Sequence, residues 1–145
     1  MLPKTHILFG AIFSLLLFSL FPNFIGLTGA IIIFLSSVLI DFDHYMYYIY
    51  KKKNLNLRRS YLWFLNSKKE IISMKEEERE KYKFSLLIFH GIECWILLLF
   101  LLFINRVFLF ILIGILVHMT LDFIELYQNK VPFYIKFSQV YTHIK

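Results

Sequence analysis

Nine ionisable side chains, tyrosine and cysteine aside, sit inside otherwise apolar stretches of the 145-residue chain: His6, Asp41, Asp43, His44, His90, Glu93, His118, Asp122 and Glu125. No lysine or arginine is among them. A charge at the centre of a membrane helix costs at least about 2.5–3.5 kcal/mol, so each such residue is a functional candidate by default. Five carboxylates with no basic neighbour in the same stretches need either protonation or a bound cation. Four imidazoles in the same set favour the cation, because imidazole and carboxylate together suit transition metals. Spacing agrees. Asp41 and His44 are three apart, His90 and Glu93 three apart, His118 and Asp122 four apart, so each pair shares a helix face. Glu125 extends the last stripe, and carboxylate with histidine at such intervals is how helix bundles build metal sites, two-metal ones included. Asp43 points well away from Asp41 on an ideal helix, which leaves it to support the ligands from behind, to cap a distorted helix end or to face the headgroups. The structural alternative is a buried polar network with no ion; convergence of the whole set at one depth argues against it.

The elements that must position these groups are apolar helices. Hydrophobic residues make up 59% of the chain and aromatic ones 19%, more than a soluble domain of this length can bury. Four apolar segments, roughly Thr5–Leu20, Ile25–Tyr50, Phe84–Ile104 and Val107–Tyr127, approach the ~20 residues needed to cross a bilayer. Pro22-Asn23 and Asn105-Arg106 break the chain tightly between neighbours. The expected fold is therefore an all-α membrane protein of four transmembrane helices, arranged as two antiparallel hairpins in a single domain (1–145). A basic cytoplasmic loop (51–83) joins the hairpins, and a tail (128–145) follows them. The first segment, after Met1-Leu2-Pro3-Lys4, lacks a small-residue cleavage site and is read as a retained helix rather than a signal peptide.

Charge sets the orientation. Of 16 Lys and Arg residues, Lys4 precedes the first span, eleven lie between Lys51 and Lys83, and Lys130, Lys136 and Lys145 follow the last span. Arg106 alone falls on the other side. The positive-inside rule then places both termini and the loop in the cytoplasm of a multi-pass inner-membrane protein. With that orientation, His90 and Glu93 lie roughly 9–14 Å inside, and Asp122 roughly 8 Å before the end of its helix. All four segments thus bring their polar groups to the cytoplasmic side. In the loop, Arg58-Arg59-Ser60-Tyr61-Leu62-Trp63-Phe64-Leu65 mixes cations and aromatics as an interfacial segment does. Ile71–Lys83 is expected to be a charged helical lead-in to the third span. Tyr45, Tyr47, Tyr48 and Tyr50 read as an aromatic belt. The single cysteine, Cys94, excludes an intrachain disulfide and a Cys-pair zinc site.

The motif order is Thr5-His6, Asp41-x-Asp43-His44, His90-Gly91, then Gly114-x-x-x-His118-x-x-x-Asp122. In that order and spacing the chain resembles the small membrane-bound metal-dependent hydrolases of bacteria and archaea, some of them described as LexA-binding inner-membrane hydrolases. The resemblance covers all four spans. It implies metal or catalytic positions at His6, Asp41, His44, His90, His118 and Asp122. Where members of that family often follow the first histidine of the third motif with Thr-His-Ser, this chain has Gly91-Ile92-Glu93.

The resulting expectation is a metal-dependent hydrolase acting on an amphiphile, a lipid phosphoester or amide, at the cytoplasmic leaflet. One or two divalent ions, zinc for preference, would be held by the six residues just named. Glu93 or Asp41 would serve as the proton-accepting catalytic group, Glu93 becoming instead a bridging ligand if the site holds two metals, and Asp43 and Glu125 would support the ligands. Membrane lipids and an amphiphilic substrate are the expected partners; nucleic acid is not, because five acids intersperse the basic loop. Two other readings use the same residues differently. A metal or proton transporter would need polar stations through the outer halves of the spans, which Leu15–Leu20, Ile25–Leu35 and Trp95–Ile104 lack. A non-catalytic membrane subunit would depend on the basic loop rather than on His118 or Asp122.

Overall fold

The computed structural model describes residues 3–81 and 87–144, and every regular element among them is helical. Helices α1 (Pro3–Leu20) and α2 (Pro22–Leu39) are joined by Phe21 alone, with Pro22 starting α2 where its missing N–H costs nothing. The chain breaks at Ile40-Asp41 and restarts as α3 (Phe42–Lys52). A left-handed Lys53 ends α3, and Asn56 caps α4 (Leu57–Ser73) by accepting from the Arg59 amide at 3.0 Å. Helix α5 (Glu76–Lys81) follows; a 3-10 turn (Ile88–His90) then leads into α6 (Ile92–Leu101), α7 (Val107–Gln128) and the short α8 (Tyr134–Phe137) and α9 (Gln139–Ile144).

Two helical stretches, Pro22–Lys52 and Val107–Gln128, are long and apolar enough to cross a membrane, while Lys4–Leu20 and Ile92–Leu101 are shorter apolar helices. The expected third span is the one that departs most. Its start at Phe84 lies outside the described residues, and the helix Ile92–Leu101 runs for only about 15 Å. Gly91, in extended conformation, separates that helix from the 3-10 turn and keeps the segment from being continuous. The second span is also not one ideal helix, since the Ile40-Asp41 turn divides it.

Helix α2 packs along both α1 and α7, and α6 lies against α7. Small residues permit the closest approaches. Ser37 of α2 is wedged between Gly10 of α1 and Gly114 of α7: a Cβ on Gly10 would strike the Ser37 hydroxyl, and one on Gly114 would strike the Ile33 carbonyl oxygen. Such small-residue contacts are how helices associate where no hydrophobic effect drives them together. Ile33, Phe110, Ile115 and Met119 fill the remaining space. Outward, Leu15, Leu27, Leu97, Phe100 and Leu116 are exposed, giving these helices an apolar exterior.

The basic loop is more ordered than its charge suggests. Helix α4 folds back on α3, with Trp63 stacked on Tyr47 at 6.1 Å and Tyr45 donating to the Leu55 carbonyl at 2.7 Å. Two of the expected belt tyrosines, Tyr47 and Tyr48, therefore pack on Trp63 of α4. Arg79 of α5 donates to the carbonyls of Ile71 and Ile72 at the end of α4 and to that of Lys130 beyond α7, tying the three together.

Candidate metal centre

Four elements deliver six side chains to one point. His6 comes from the first turns of α1, Asp41 and His44 from the α2–α3 break, His90 from the 3-10 turn, and His118 and Asp122 from successive turns of α7. His6, His90, His118 and Asp122 are at most 1% exposed. The Nε2 atoms of His6, His90 and His118 have no hydrogen-bond partner among the described residues although they are buried. Leaving three such atoms unsatisfied is costly unless something else fills their lone pairs.

The distances say what that could be. His118 Nε2 stands 3.4 Å from both Asp41 Oδ1 and Asp122 Oδ2. His90 Nε2 is 3.6 and 3.7 Å from the same two oxygens, His44 Nε2 is 3.5 Å from Asp41 Oδ1, and His6 Nε2 is 3.6 Å from Asp122 Oδ1. These are too long for good hydrogen bonds. They are close to the edge of a coordination tetrahedron, about 3.3–3.4 Å for bonds of about 2.0–2.1 Å. The buried His/Asp group can hold a divalent cation, and His6–His118–Asp122 and Asp41–His90–His118 each bring three donor atoms within reach of a common ion.

The outer nitrogens fix the rings. His118 Nδ1 donates to the Ser37 carbonyl at 2.8 Å, and His90 Nδ1 to Asp43 Oδ2 at 3.0 Å. With the proton on Nδ1, each Nε2 directs a lone pair into the cluster, the arrangement that metal-binding histidines require. Asp43 Oδ2 also accepts from the Phe89 amide at 3.1 Å, so one carboxylate orients both the ring and its backbone.

That placement depends on the helix break. Unbroken helix would turn Asp43 well away from Asp41; the Ile40-Asp41 turn instead brings them to opposite edges of the same imidazole, Asp41 near His90 Nε2 and Asp43 at Nδ1. Asp41 occupies the position before α3, where an aspartate ordinarily caps the helix, yet its side chain makes no capping bond. Its oxygen faces the cluster. Replacing Asp43 with asparagine is expected to weaken metal affinity about 10–100-fold by disturbing the His90 tautomer. Titration of the metal-free protein with a competing chelator measures this, and unchanged affinity would remove Asp43 from the role.

Two expected acids stand apart from the cluster. Glu93 accepts from Ser138 Oγ at 2.6 Å and from the amides of Gln139 and Val140, so it anchors the start of α9 instead of meeting the six residues. Glu125 pairs with Lys68 of α4 at 2.5 Å. This pair corrects the expectation that the buried acids have no basic partners, as does a second one: Lys136 of α8 places its ammonium 2.5 Å from Asp122 Oδ2.

Lys136 had no signal in the sequence beyond its charge, because a four-residue helix shows no periodicity. Burial works to lower its pKa, but the Asp122 carboxylate, with Asp41 and Glu125 farther off, outweighs that and raises it, so the group stays cationic. Exchange of Lys136 for methionine is expected to destabilise the metal-free protein by about 2–3 kcal/mol, because a largely buried carboxylate loses its ammonium. Added divalent metal should recover most of that loss, as read by thermal unfolding with and without chelator; equal loss in both states would show that the two charges do not share Asp122.

Compared against protein-family models, curated proteins and solved structures, the chain finds no match in any of the three.

Proposed function

We propose that this chain is a divalent-metal-dependent hydrolase embedded in the inner membrane by four helices, with both termini and its catalytic centre on the cytoplasmic side. The observation that carries the reading is the convergence of three orphaned imidazole nitrogens on two aspartates at tetrahedral-edge spacing. Nitrogen and carboxylate donors at that spacing favour zinc, and Asp122, whose two oxygens face different histidines, leaves room for one ion or two. The resemblance of the motif order to small membrane-bound metal-dependent hydrolases points the same way.

Topology is supported by the fifteen-to-one segregation of cations. The short α6 fits a span because Leu87, His90 and Gly91 before it are buried in protein, where irregular backbone at membrane depth is tolerated.

A divalent ion held there would supply Lewis acidity, bringing the pKa of water from 15.7 down to about 7. The chain's own residues supply the rest. His6, His90, His118 and Asp122 form the closed floor. Asp41 and His44, the two cluster members with accessible surface, form the side from which a substrate arrives and are the groups placed to accept a proton there. Glu93, bound to the tail, has no part in this step. Lys136 lies beside the same floor and offers its ammonium to an oxyanion.

Elemental analysis of the detergent-purified protein tests the reading. About one or two equivalents of metal per chain are expected, together with hydrolysis of some member of a panel of lipid phosphoesters, amides and esters that chelation abolishes and zinc restores. Trace metal that stays substoichiometric after incubation with zinc would count decisively against it.

A further inference from the structure

A cavity opens onto the cluster at Asp41 and His44, and what lines it constrains the substrate. It has a volume of about 380 Å³ and lies between α3, α4, the end of α7 and α8. At its polar end stand Asp41, His44 and Lys136; Leu65 and Ile72 of α4, Leu126 of α7 and Ile135 of α8 form much of the wall beyond. His6, His90, His118 and Asp122 do not line it. A reactant therefore reaches the candidate metal centre from this cavity, past Asp41 and His44.

From this geometry we infer that the cavity is a slot for one hydrocarbon chain, and that the substrate is a single-tailed amphiphile whose polar, hydrolysable group lies against Asp41, His44 and Lys136. The volume falls near the lower end of the range for small-molecule sites, about 300–1,000 Å³, which suits one tail and not the two of a bilayer phospholipid. The wall explains the preference for a tail. Leu126, Val131 and Ile135 form a small hydrophobic cluster with Ile71 and Ile72 packed against it, so an apolar occupant meets the same surface that holds α4 and α8 together. The cations of the lining are already paired, Lys68 with Glu125 and Lys136 with Asp122, so a head group beside the cluster meets no large excess of either charge. Helix α4 completes the slot, which gives the ordered segment of the basic loop a purpose that a solvated cytoplasmic linker would lack.

The inference rests on the hydrolase reading of the site for the word substrate, but not for the presence of the tail, and the experiment separates the two. The full chain in detergent is photolabelled with a hexadecanoic acid carrying a mid-chain diazirine, and labelled peptides are mapped by mass spectrometry while bound metal is measured on the same samples. Label concentrated on α4, the end of α7 and α8 is expected. Leu65→Trp, or Ile72→Trp in an independent chain, should cut that labelling about tenfold by displacing methylenes from the slot, with metal content unchanged. His118→Ala should lose metal and keep the label. Label spread over the outward faces of α1 and α2 around Leu15 and Leu27, or undiminished labelling in both tryptophan variants, would overturn the slot even if metal is bound. Label in the slot of a protein that binds no metal would leave the slot standing and end the hydrolase reading.

Discussion

Alanine at position 118 is expected to lower metal affinity by more than about 100-fold, beyond what the loss of an outer-shell partner costs. His118 is fully buried, and its Nε2 stands 3.4 Å from both Asp41 and Asp122. Its removal takes away a donor and also the spacer between two carboxylates, which then face each other with less to neutralise them. The loss of a stacked ring, whose centroid lies 3.8 Å from that of His6, would add a small packing defect. His118→Asn separates the two effects. An asparagine amide can still donate towards the Ser37 carbonyl but offers no imidazole lone pair, so the variant should fold and remain metal-poor. Metal-to-protein ratios from elemental analysis, alongside thermal unfolding curves, read both outcomes. Wild-type metal content in either variant would mean that the convergence of these side chains has another cause.

A bulkier residue at Gly114 is expected to have the largest effect on stability. The Cβ of even an alanine would meet the Ile33 carbonyl oxygen, the Ser36 Cβ at 2.7 Å and the Ser37 amide nitrogen at 3.0 Å. Two of those atoms belong to the α2 backbone and cannot rotate aside. Overpacking commonly costs about 1–3 kcal/mol where side chains can adjust, so Gly114→Val should cost about 3 kcal/mol or more. The site should suffer with it. Ser37, which holds His118 Nδ1, sits at this contact, and moving α2 away from α7 separates the carbonyl from the ring. Lower thermal stability and weaker metal binding should therefore appear together in Gly114→Val. A variant with normal stability would show that α2 and α7 do not approach this closely. One with low stability but full metal affinity would uncouple the contact from the site.

Several features of the site could be read from residue types and intervals. His118 and Asp122 lie on one face of a regular helix, so a four-residue interval was enough to pair them. The donor chemistry pointed to a group able to hold a metal ion, because that depends on composition and not on path; the charge surplus was a weaker guide, since Lys68 and Lys136 answer part of it. Other features depended on how the chain bends. How Asp43 reaches His90 is one of them: a turn at Ile40-Asp41 changes its facing from that of an ideal helix, and nothing at those two residues resembles a Gly or Pro breaker. Glu93 shares a helical interval with His90, but a 3-10 turn and an extended Gly91 intervene, so the interval carries no facing. Its partners, Ser138 to Val140, are 45 or more residues away.

Local patterning by itself determined the apolar helices, the charge asymmetry and the set of candidate donors, because helical period and transfer free energy act over a few neighbouring residues. Only tertiary structure decided which acids belong together. Lys68 reaches Glu125 across 57 residues, while Lys136 reaches Asp122 through a four-residue helix whose position is set by packing against α7. Whether a buried carboxylate meets an ammonium, a hydroxyl or an ion is decided by which elements pack beside it, and no interval within one helix encodes that.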